Sequence, residues 1–245
     1  MLKLRIHIAP VGFEIDRIML PLVKLKADRV WLMTGNNSEK DAAQPYLNKI
    51  IRKLEKKKIE YRIEKSEIRD LFDALNGYRK IIQQEEGNQI LINVSTGTKI
   101  QSIAAMMACM MFKTKSSEIK PYYVEPEKYV VKPIKQQPMT SGCKRIFLLP
   151  NYKIEKPSEN LISALKIISK LDKISKRELI LACTSANIIR VKENAKNPRV
   201  AEHSALNANV IAPLLGWGFI ELEGKGKRGR VKITEDGKNA LKFLG

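Results

Sequence analysis

The hydrophobic positions in the first part of the chain follow two alternating spacings. Short apolar or alternating runs predict strands at residues 4–9, 29–33, 59–63, 89–94, 119–124 and 128–133. Between them, apolar residues recur every three or four positions and predict helices at residues 13–25, 38–58, 66–82 and 100–112. Strands that alternate with helices of this length are typical of βαβ units, so we expect an α/β fold with a Rossmann-like, mostly parallel sheet.

The pattern changes after residue 133. Residues 134–158 carry prolines, glutamines and a Ser-Gly pair around one strand-like run, so this segment is expected to be a linker or connecting arm. Helical spacing then resumes, with helices predicted at 159–171, 176–183 and 204–215, strands at 219–223 and 230–234, and a final helix. The predicted domains are therefore 1–133, a linker at 134–158, and 159–245.

Three helices followed by two strands around a basic, glycine-rich tip is the order of a winged helix-turn-helix. Glycines let the tip approach a phosphate backbone, and basic side chains there neutralise phosphates. The residues predicted to bind DNA are Arg190, Lys192, Arg199, His203, Asn207, Asn209, Lys225, Lys227, Arg228 and Arg230. The polar segment 184–202 is either a DNA contact, a mobile loop, or an indication that the recognition helix lies elsewhere. A winged helix used only for dimerisation or protein contacts stays an alternative.

The fourth predicted strand ends in a polar turn that looks suited to an anion. The segment 89–99 reads QILINVSTGTK, and an apolar helix follows at once. Ligands of open α/β sheets bind where strands end and helices begin, and a helix N-terminus offers free N–H groups and partial positive charge. We therefore expect this loop and Lys99 to hold a phosphate-bearing ligand, although a solvated helix-start lysine is the plainer interpretation.

The amino-acid composition limits the classes of molecule that the protein is expected to bind. The 245 residues carry a net charge of +19, which favours a polyanion such as nucleic acid, although a solvated lysine-rich surface gives the same total. The apolar runs are too short to span a bilayer, and no signal peptide is evident. Three distant cysteines and two histidines give no disulfide framework and no metal spacing. We expect a cytoplasmic protein with no membrane contact, no metal and no cofactor.

Known enzyme motifs are missing from the sequence. No G-x-G-x-x-G follows the first strand and no Walker motif occurs, which disfavours a dinucleotide-dependent enzyme. Glu14 and Asp16 are two residues apart and point to different sides of a helix, so partners of the helix dipole are a better interpretation than a carboxylate pair. His7 lies within a strand and is expected to be packed rather than to act as a base. No catalytic residue is predicted.

With these features, the chain resembles the CARF (CRISPR-associated Rossmann fold) regulators, closest to the archaeal type that joins a CARF-like domain to a winged helix-turn-helix. Two loops carry the resemblance: the loop after the first strand and the loop after the fourth. Their ligand-binding candidates are Pro10, Val11, Gly12, Phe13 and Arg17, and Asn93, Ser95, Thr96, Gly97, Thr98 and Lys99. The resemblance implies a homodimer that holds a cyclic oligonucleotide, typically cyclic oligoadenylate, across its two-fold axis.

The function expected from the sequence is a dimeric transcriptional regulator that senses a nucleotide and binds double-stranded DNA. The alternative is a CARF-type ring nuclease that degrades a cyclic oligoadenylate, with the winged helix used for dimerisation. Ser95, Thr96 and Lys99 could position a ribose hydroxyl in such an enzyme, but no general base is evident.

Overall fold

The protein forms two compact units, Met1–Glu155 and Lys156–Gly245. The structure is a computed structural model, and it describes residues 3–36, 41–113, 118–131, 134–150, 152, 154–190, 197–224 and 229–245. Each unit has its own hydrophobic core. The first is an α/β unit and the second is a winged helix.

Strands and helices alternate through most of the N-terminal unit. They are β1 (Arg5–Pro10), α1 (Asp16–Lys24), β2 (Arg29–Gly35), α2 (Gln44–Lys57), β3 (Glu60–Ser66), α3 (Leu71–Gln84), β4 (Gln89–Asn93), α4 (Lys99–Met111), β5 (Glu118–Glu125), β6 (Lys128–Tyr129), β7 (Thr140–Ser141) and β8 (Arg145–Leu148). The strand order of the main sheet is β3-β2-β1-β4-β5-β8. The first five strands are parallel and β8 is antiparallel, so the predicted Rossmann-like, mostly parallel sheet is confirmed.

The core of this unit lies between the sheet and its helices. The central strand β1 pairs with β2 and β4, and Ile6 and Ile8 on it are completely buried. Helices α1 and α2 pack against β1 and β2 through a shared apolar cluster, which includes Ile18, Leu22 and Ile50. An all-parallel central sheet needs such covering helices because its strands are buried on their faces.

Helix α3 begins later than the sequence indicated. Strand β3 runs on to Ser66, which we expected to cap the helix, and Asp70 is the cap instead. Its carboxylate accepts the backbone N–H groups of Phe72 at 2.8 Å and Asp73 at 3.1 Å. Aspartate in this position also complements the positive end of the helix dipole.

The expected linker at residues 134–158 differs most from the structure. Residues 140–141 pair with β6, and residues 145–148 form β8, which pairs with Tyr122–Glu125 of β5 and completes the sheet. The N-terminal unit therefore extends to Glu155 rather than to residue 133. The one strand-like run expected in this segment, residues 145–149, corresponds to β8, but its pairing with β5 and the two-residue strand β7 were not predicted.

The C-terminal unit has the element order of a winged helix, as predicted. Its elements are α5 (Glu159–Leu171), β9 (Lys173–Ser175), α6 (Lys176–Ser185), α7 (Pro198–Leu206), a π-helical turn (Asn207–Ile211), α8 (Ala212–Gly216), β10 (Ile220–Glu223), β11 (Arg230–Ile233) and α9 (Glu235–Leu244). The small sheet has the order β10-β11-β9. Its helices and strands bury one contiguous core, with Ile168, Leu179, Leu206 and Val231 at its centre.

The third helical segment begins at Pro198, six residues before the predicted start. Asn197 caps it by accepting the N–H of Val200 at 3.4 Å, and proline suits the first helical position because its missing N–H is not needed there. The segment continues through the π turn to Gly216. Pro213 lacks the N–H that Asn209 would require, and Ala212 instead donates to Asn207, five residues back, so a π turn relieves the interruption.

Candidate ligand-binding site and nucleic-acid interface

The sheet topology places the two predicted ligand loops side by side. Strand β1 lies between β2 and β4, so the chain reverses its direction of winding between β1 and β4. In open α/β sheets, a crevice forms outside the carboxyl ends of the strands at this reversal. The loop after β1 (residues 11–15) and the loop after β4 (residues 94–98) both lie there; together they are called the switch-point loops below.

The switch-point loops touch each other through two glycines. A side-chain carbon added at Gly12 would lie 3.0 Å from the Cα atom of Gly97, and one added at Gly97 would lie 2.6 Å from the Cβ atom of Pro10. Gly97 also has a φ of +77°, a left-handed conformation that favours glycine. The hydroxyl of Thr96 is buried and donates to the carbonyl of Pro10 at 2.8 Å. This contact fixes the two loops relative to each other.

Helix α4 starts with a capping box. Thr98 accepts the N–H of Gln101 at 3.1 Å, and the side chain of Gln101 accepts the N–H of Thr98 at 3.0 Å. The hydroxyl of Thr98 also donates to the carbonyl of Ile68 at 3.0 Å. Lys99 is exposed, and neither its backbone N–H nor that of Ile100 has a partner among the described residues. The first turn of α4 therefore carries two free donors, the helix dipole and a lysine.

Asn93 and Ser95 hold the second loop against its neighbours. The amide of Asn93 donates to the carbonyl of Arg17 at 2.9 Å, and its oxygen accepts the N–H of Ser95 at 2.9 Å as well as the Ser95 hydroxyl. The oxygen of that hydroxyl accepts the N–H of Val124 on β5 at 3.1 Å. Both side chains are thus used within the fold.

Arg17 is buried and is held by several contacts within the fold. The side chain is 5% exposed, its Nε donates to the carbonyl of Val124 at 2.9 Å, and its guanidinium pairs with Glu14 at 3.3 Å. It also stacks over the ring of Tyr123 at 5.2 Å. Its Nη2 atom is also buried and has no hydrogen-bond partner among the described residues, and a ligand contact by Arg17 stays a prediction.

The two carboxylates near the first loop also have internal partners. Glu14 accepts from the hydroxyl of Thr140 in addition to pairing with Arg17, and Asp16 accepts the N–H of Gly142 at 3.0 Å. Glu14 thus connects the residues before α1 to β7, and Asp16 connects the first turn of α1 to the residue that follows β7. Within the described residues no cluster of three metal-ligating side chains exists.

His7 is packed in the sheet, as expected. Its Nδ1 lies 3.2 Å from the hydroxyl of Tyr122, and the residue is completely buried. Burial lowers the pKa of His7 to about 4, and the charge of Arg5 adds to that effect. A neutral, enclosed imidazole beneath the site is a packing group and not a base for a ligand at the surface.

The winged helix presents its basic residues at the surface. Five residues that are predicted to bind DNA are exposed: Arg190 before α7, Arg199 within it, Asn207 and Asn209 in the π turn, and Arg230 on β11. His203 on α7 is half-buried. Lys192, Lys225, Lys227 and Arg228 lie outside the described residues. Strands β10 and β11 pair in antiparallel fashion, from Ile220 with Ile233 to Glu223 with Arg230.

Part of the positive charge on the wing strands is neutralised. Lys232 lies 3.0 Å from Glu221 and 3.5 Å from Glu223, and Lys173 of β9 also pairs with Glu223. The hydrogen bond to Glu221 raises the pKa of the Lys232 ammonium above the usual value for lysine. Exposed ion pairs of this kind contribute little stability. The sequence prediction did not anticipate them, because the pairing depends on the register of β9, β10 and β11.

Comparison with known proteins identifies the family. Residues 5–129 match the family described as "HFX_2341_N:-like, N-terminal", and residues 160–245 match the DUF6293 C-terminal winged helix domain. Because the first match spans just over half of the chain, the protein belongs to this family. The order implied by the resemblance to CARF-type regulators, a Rossmann-like domain followed by a winged helix, is thereby confirmed.

One relative and three solved structures illustrate this similarity. Protein MJ1513 of Methanocaldococcus jannaschii is 30% identical over 188 residues, which cover 67% of this chain and 56% of the relative. The chain therefore matches little more than half the length of that relative. The structural matches are Can2 from Sulfobacillus thermosulfidooxidans in complex with cyclic tetra-adenylate (12% identity, 97% of this chain, 61% of that chain, TM-score 0.43), VC1899 from Vibrio cholerae (12%, 97%, 64%, 0.46) and Enterococcus italicus Csm6 bound to cyclic hexa-2′-fluoro-hexa-dAMP (13%, 89%, 56%, 0.42). TM-scores below 0.5 do not by themselves establish a shared fold. The fold of this chain is established by its strand order and by the two family matches.

No described helix is both long enough and apolar enough to cross a membrane.

Proposed function

We propose that the protein is a homodimeric, ligand-responsive regulator that binds a cyclic oligonucleotide at the switch-point loops and duplex DNA through the winged helix. Cyclic oligoadenylate is the first candidate ligand, as the resemblance to CARF regulators implies. The observation that carries the proposal is the exposed Lys99 in the first turn of α4, beside the Gly12–Gly97 contact, in a chain that also holds a winged helix.

The switch-point loops suit a phosphodiester because their donors are fixed before the ligand arrives. Free N–H groups at a helix start and a lysine are a common binding site for phosphate. The glycines let the backbones of the two loops pack closely against each other, which fixes the loops beside the free donors of α4. A preformed site of this kind loses little conformational entropy on binding.

The hydroxyl groups of the loop after β4 favour a protein that binds its nucleotide ligand over one that cleaves it. Those of Ser95, Thr96 and Thr98 all have partners within the fold. A ring nuclease would need a group that activates the ribose hydroxyl, and the only histidine of this unit is enclosed in the sheet with a pKa of about 4. We therefore propose a sensor, and the ring-nuclease alternative becomes an outcome of the experiment below.

Helix α4 offers a surface for pairing two copies. Ala104, Ala105 and Ala108 are buried within the unit, but Ile103 is 51% exposed and Met106 is half-buried. This apolar face of α4 lies next to the ligand site and is partly exposed in the single chain. In a two-fold dimer, the same face of a second copy would cover it. Pairing along α4 would bring two copies of the switch-point loops near one symmetric ligand.

The same helix gives a route from ligand to DNA-binding unit. Its first residue, Lys99, belongs to the ligand site, and near its last turn the carbonyl of Met110 accepts the N–H of Ile154 at 3.1 Å. Ile154 belongs to the segment that leads along the chain into α5. A 13-residue helix is about 20 Å long. A small rotation of α4 at its start would therefore displace its other end, and with it the segment that contains Ile154. Regulation requires that the ligand bind two states unequally.

Calorimetric titration of the protein with cyclic tri-, tetra- and hexa-adenylate tests the proposal, and cyclic tetra-adenylate is the ligand named for the Can2 structure. The expected result is binding of one of them at one ligand per dimer, with the ligand recovered intact by chromatography. Stoichiometric binding followed by linear products would favour the ring nuclease. Absence of binding by all three would contradict the proposed ligand class.

A further inference from the structure

A groove opens next to the first switch-point loop, between the start of α2 and the turn at residues 134–137. It is lined by the apolar Phe13, Pro45 and Tyr46, by the amides of Gln44, Asn48 and Gln136, and by the charged Asp41 and Lys135. Apolar floors with a few polar groups at the rim are the usual composition of small-molecule sites. The question is which part of a ligand such a groove would hold.

The floor presents an aromatic ring to solvent. Phe13 is 40% exposed although it lies directly after Gly12 in a loop that is otherwise packed. Behind it lies Tyr46, which is only 6% exposed, with the two ring centroids 5.3 Å apart and tilted by 43°. Tyr46 therefore holds the Phe13 ring from below and leaves part of that ring uncovered. A supported aromatic ring is a platform on which a flat base can stack.

The opposite side of the groove is held in place by hydrogen bonds. The hydroxyl of Tyr46 donates to the carbonyl of Gln137 at 2.9 Å, and Lys49 donates to the carbonyl of Gln136 at 3.2 Å. The N–H of Met139 donates to the carbonyl of Phe13 at 3.0 Å. These contacts tie the turn both to α2 and to the ligand loop, so the groove exists without a ligand.

Besides Asp41 and Lys135, neutral hydrogen-bonding groups line the groove. The side-chain amide of Gln44 donates to that of Asn48 at 3.1 Å, which leaves further donor and acceptor positions on both amides. Carboxamides match the alternating donors and acceptors on the edge of an adenine base. An aromatic ring with an amide pair fits a nucleobase, and the opposite charges of Asp41 and Lys135 give the groove no net positive charge that would favour a phosphate.

We propose that this groove binds a nucleobase of the nucleotide ligand, with Phe13 stacking on the base and the Gln44–Asn48 pair contacting its edge. Phe13 directly follows Gly12, which touches Gly97 beside the proposed phosphate site, so base and phosphate sites are continuous along one loop. The inference rests on the proposed function, because it assigns the base of that same ligand.

The test compares ligands with and without a base on wild-type protein and on variants at position 13. Titration of AMP against ribose 5-phosphate isolates the contribution of the base, and cyclic tetra-adenylate reports the whole ligand. Phe13→Leu keeps an apolar side chain but removes the ring, whereas Phe13→Tyr keeps the ring. Val23→Ala changes another exposed apolar residue, on α1, and thermal unfolding checks that all variants remain folded.

We expect wild-type protein and Phe13→Tyr to bind AMP more tightly than ribose 5-phosphate, and Phe13→Leu to lose about tenfold in affinity for AMP while ribose 5-phosphate is unaffected. Equal AMP affinity of Phe13→Leu and wild type would overturn the base site, even if cyclic tetra-adenylate still binds and the proposed function stands. Base-dependent AMP binding without binding of any cyclic oligoadenylate would support the groove and contradict the proposed ligand. Equal wild-type affinity for AMP and ribose 5-phosphate, or no binding of either, would overturn the base site.

Discussion

The switch-point loops and the winged helix use polar side chains in opposite ways. At the loops, the hydroxyls of Ser95 and Thr96 are bound within the fold, and Arg17 in the first turn of α1 is 5% exposed and held by Glu14 and Val124. In the winged helix, Arg190, Arg199 and Arg230, which are predicted to bind DNA, are exposed. The first region fixes a shape before binding, whereas the second presents charge. We therefore expect ligand binding to depend on loop geometry and DNA binding to depend on salt.

The largest expected effect tests the charged side of this comparison. Replacing Lys225, Lys227, Arg228 and Arg230 by alanine should weaken binding to any duplex by roughly 1,000-fold at physiological salt, because about four phosphate contacts are lost. The slope of log K against log salt should fall by about 3 to 4 in the same protein. Electrophoretic or fluorescence titrations at several salt concentrations measure both quantities.

A matched control separates local charge from total charge. Arg52, Lys53, Lys56 and Lys57 are exposed on α2 of the N-terminal unit, and their replacement by alanine removes the same net charge. That variant should bind duplex DNA with nearly wild-type affinity and salt slope. An equal loss in both variants would mean that overall charge, and not the wing, drives binding.

The next largest effect concerns the conformation of the switch-point loops. Gly97→Ala should lose about 2–3 kcal/mol of the free energy of unfolding and abolish ligand binding, because the new Cβ meets Pro10 at 2.6 Å and φ is +77°. Gly87→Ala is the control, since Gly87 has a similar φ of +86° but nothing within 4 Å of an added Cβ. It should lose only about 1 kcal/mol for the backbone conformation and bind ligand normally. Denaturant unfolding and calorimetry distinguish the two, and comparable behaviour would show that the loop contact is unimportant.

A third effect contrasts the buried His7 with the half-buried His203. With a folded pKa of about 4 and an unfolded value near 6.5, His7 binds fewer protons in the folded state between these pH values. The free energy of unfolding therefore falls as the pH is lowered through this range, by about 2 kcal/mol between pH 8 and pH 5.

Trp31 reports on the N-terminal unit, so urea unfolding can be followed by its fluorescence in a Trp217→Phe background. His7→Gln should remove this part of the pH dependence, while His203→Gln should retain it. If both variants follow the wild-type pH profile, the His7 imidazole is not the titrating group.

The smallest effect concerns the charge at the ligand site. Lys99→Gln should weaken ligand binding about tenfold, because one charged hydrogen bond is lost while the backbone donors of α4 remain. Lys53→Gln removes an exposed lysine from α2 and serves as the control. DNA affinity without ligand should be the same in both variants. A Lys99→Gln protein that binds ligand as tightly as the control would remove Lys99 from the site.

The parts of the fold that depend on local pattern were predicted, and the parts that depend on distant contacts were not. The strand, turn and helix around residues 89–112 followed from periodicity and from the Ser/Thr/Gly turn. The role of Arg17 did not, because its carbonyl partner Val124 is 107 residues away. The capping box of Thr98 and Gln101 is a sequence signal that could have been found, since Thr-x-x-Gln precedes an apolar run.

The bounds of some helices and strands were predicted wrongly where a residue type is typical of two kinds of structure. Pro198 looked like part of a polar insert, but proline is also favoured at the first position of a helix. The strand β8 was assigned to a linker because its four residues carry too short a pattern to distinguish a sheet edge from an extended arm. Its partner strand β5, and not its own sequence, makes it part of the sheet.

The most direct test of the account is whether ligand at one region changes DNA binding at the other. A duplex is first enriched by the protein from a random-sequence pool, and its affinity is then measured with and without a saturating cyclic oligoadenylate that binds. We predict a change of about 5- to 150-fold, the usual range of coupling between sites, which is lost in Gly97→Ala and kept in Gly87→Ala. Identical affinities with and without bound ligand would contradict the claim that the two regions form one regulatory device.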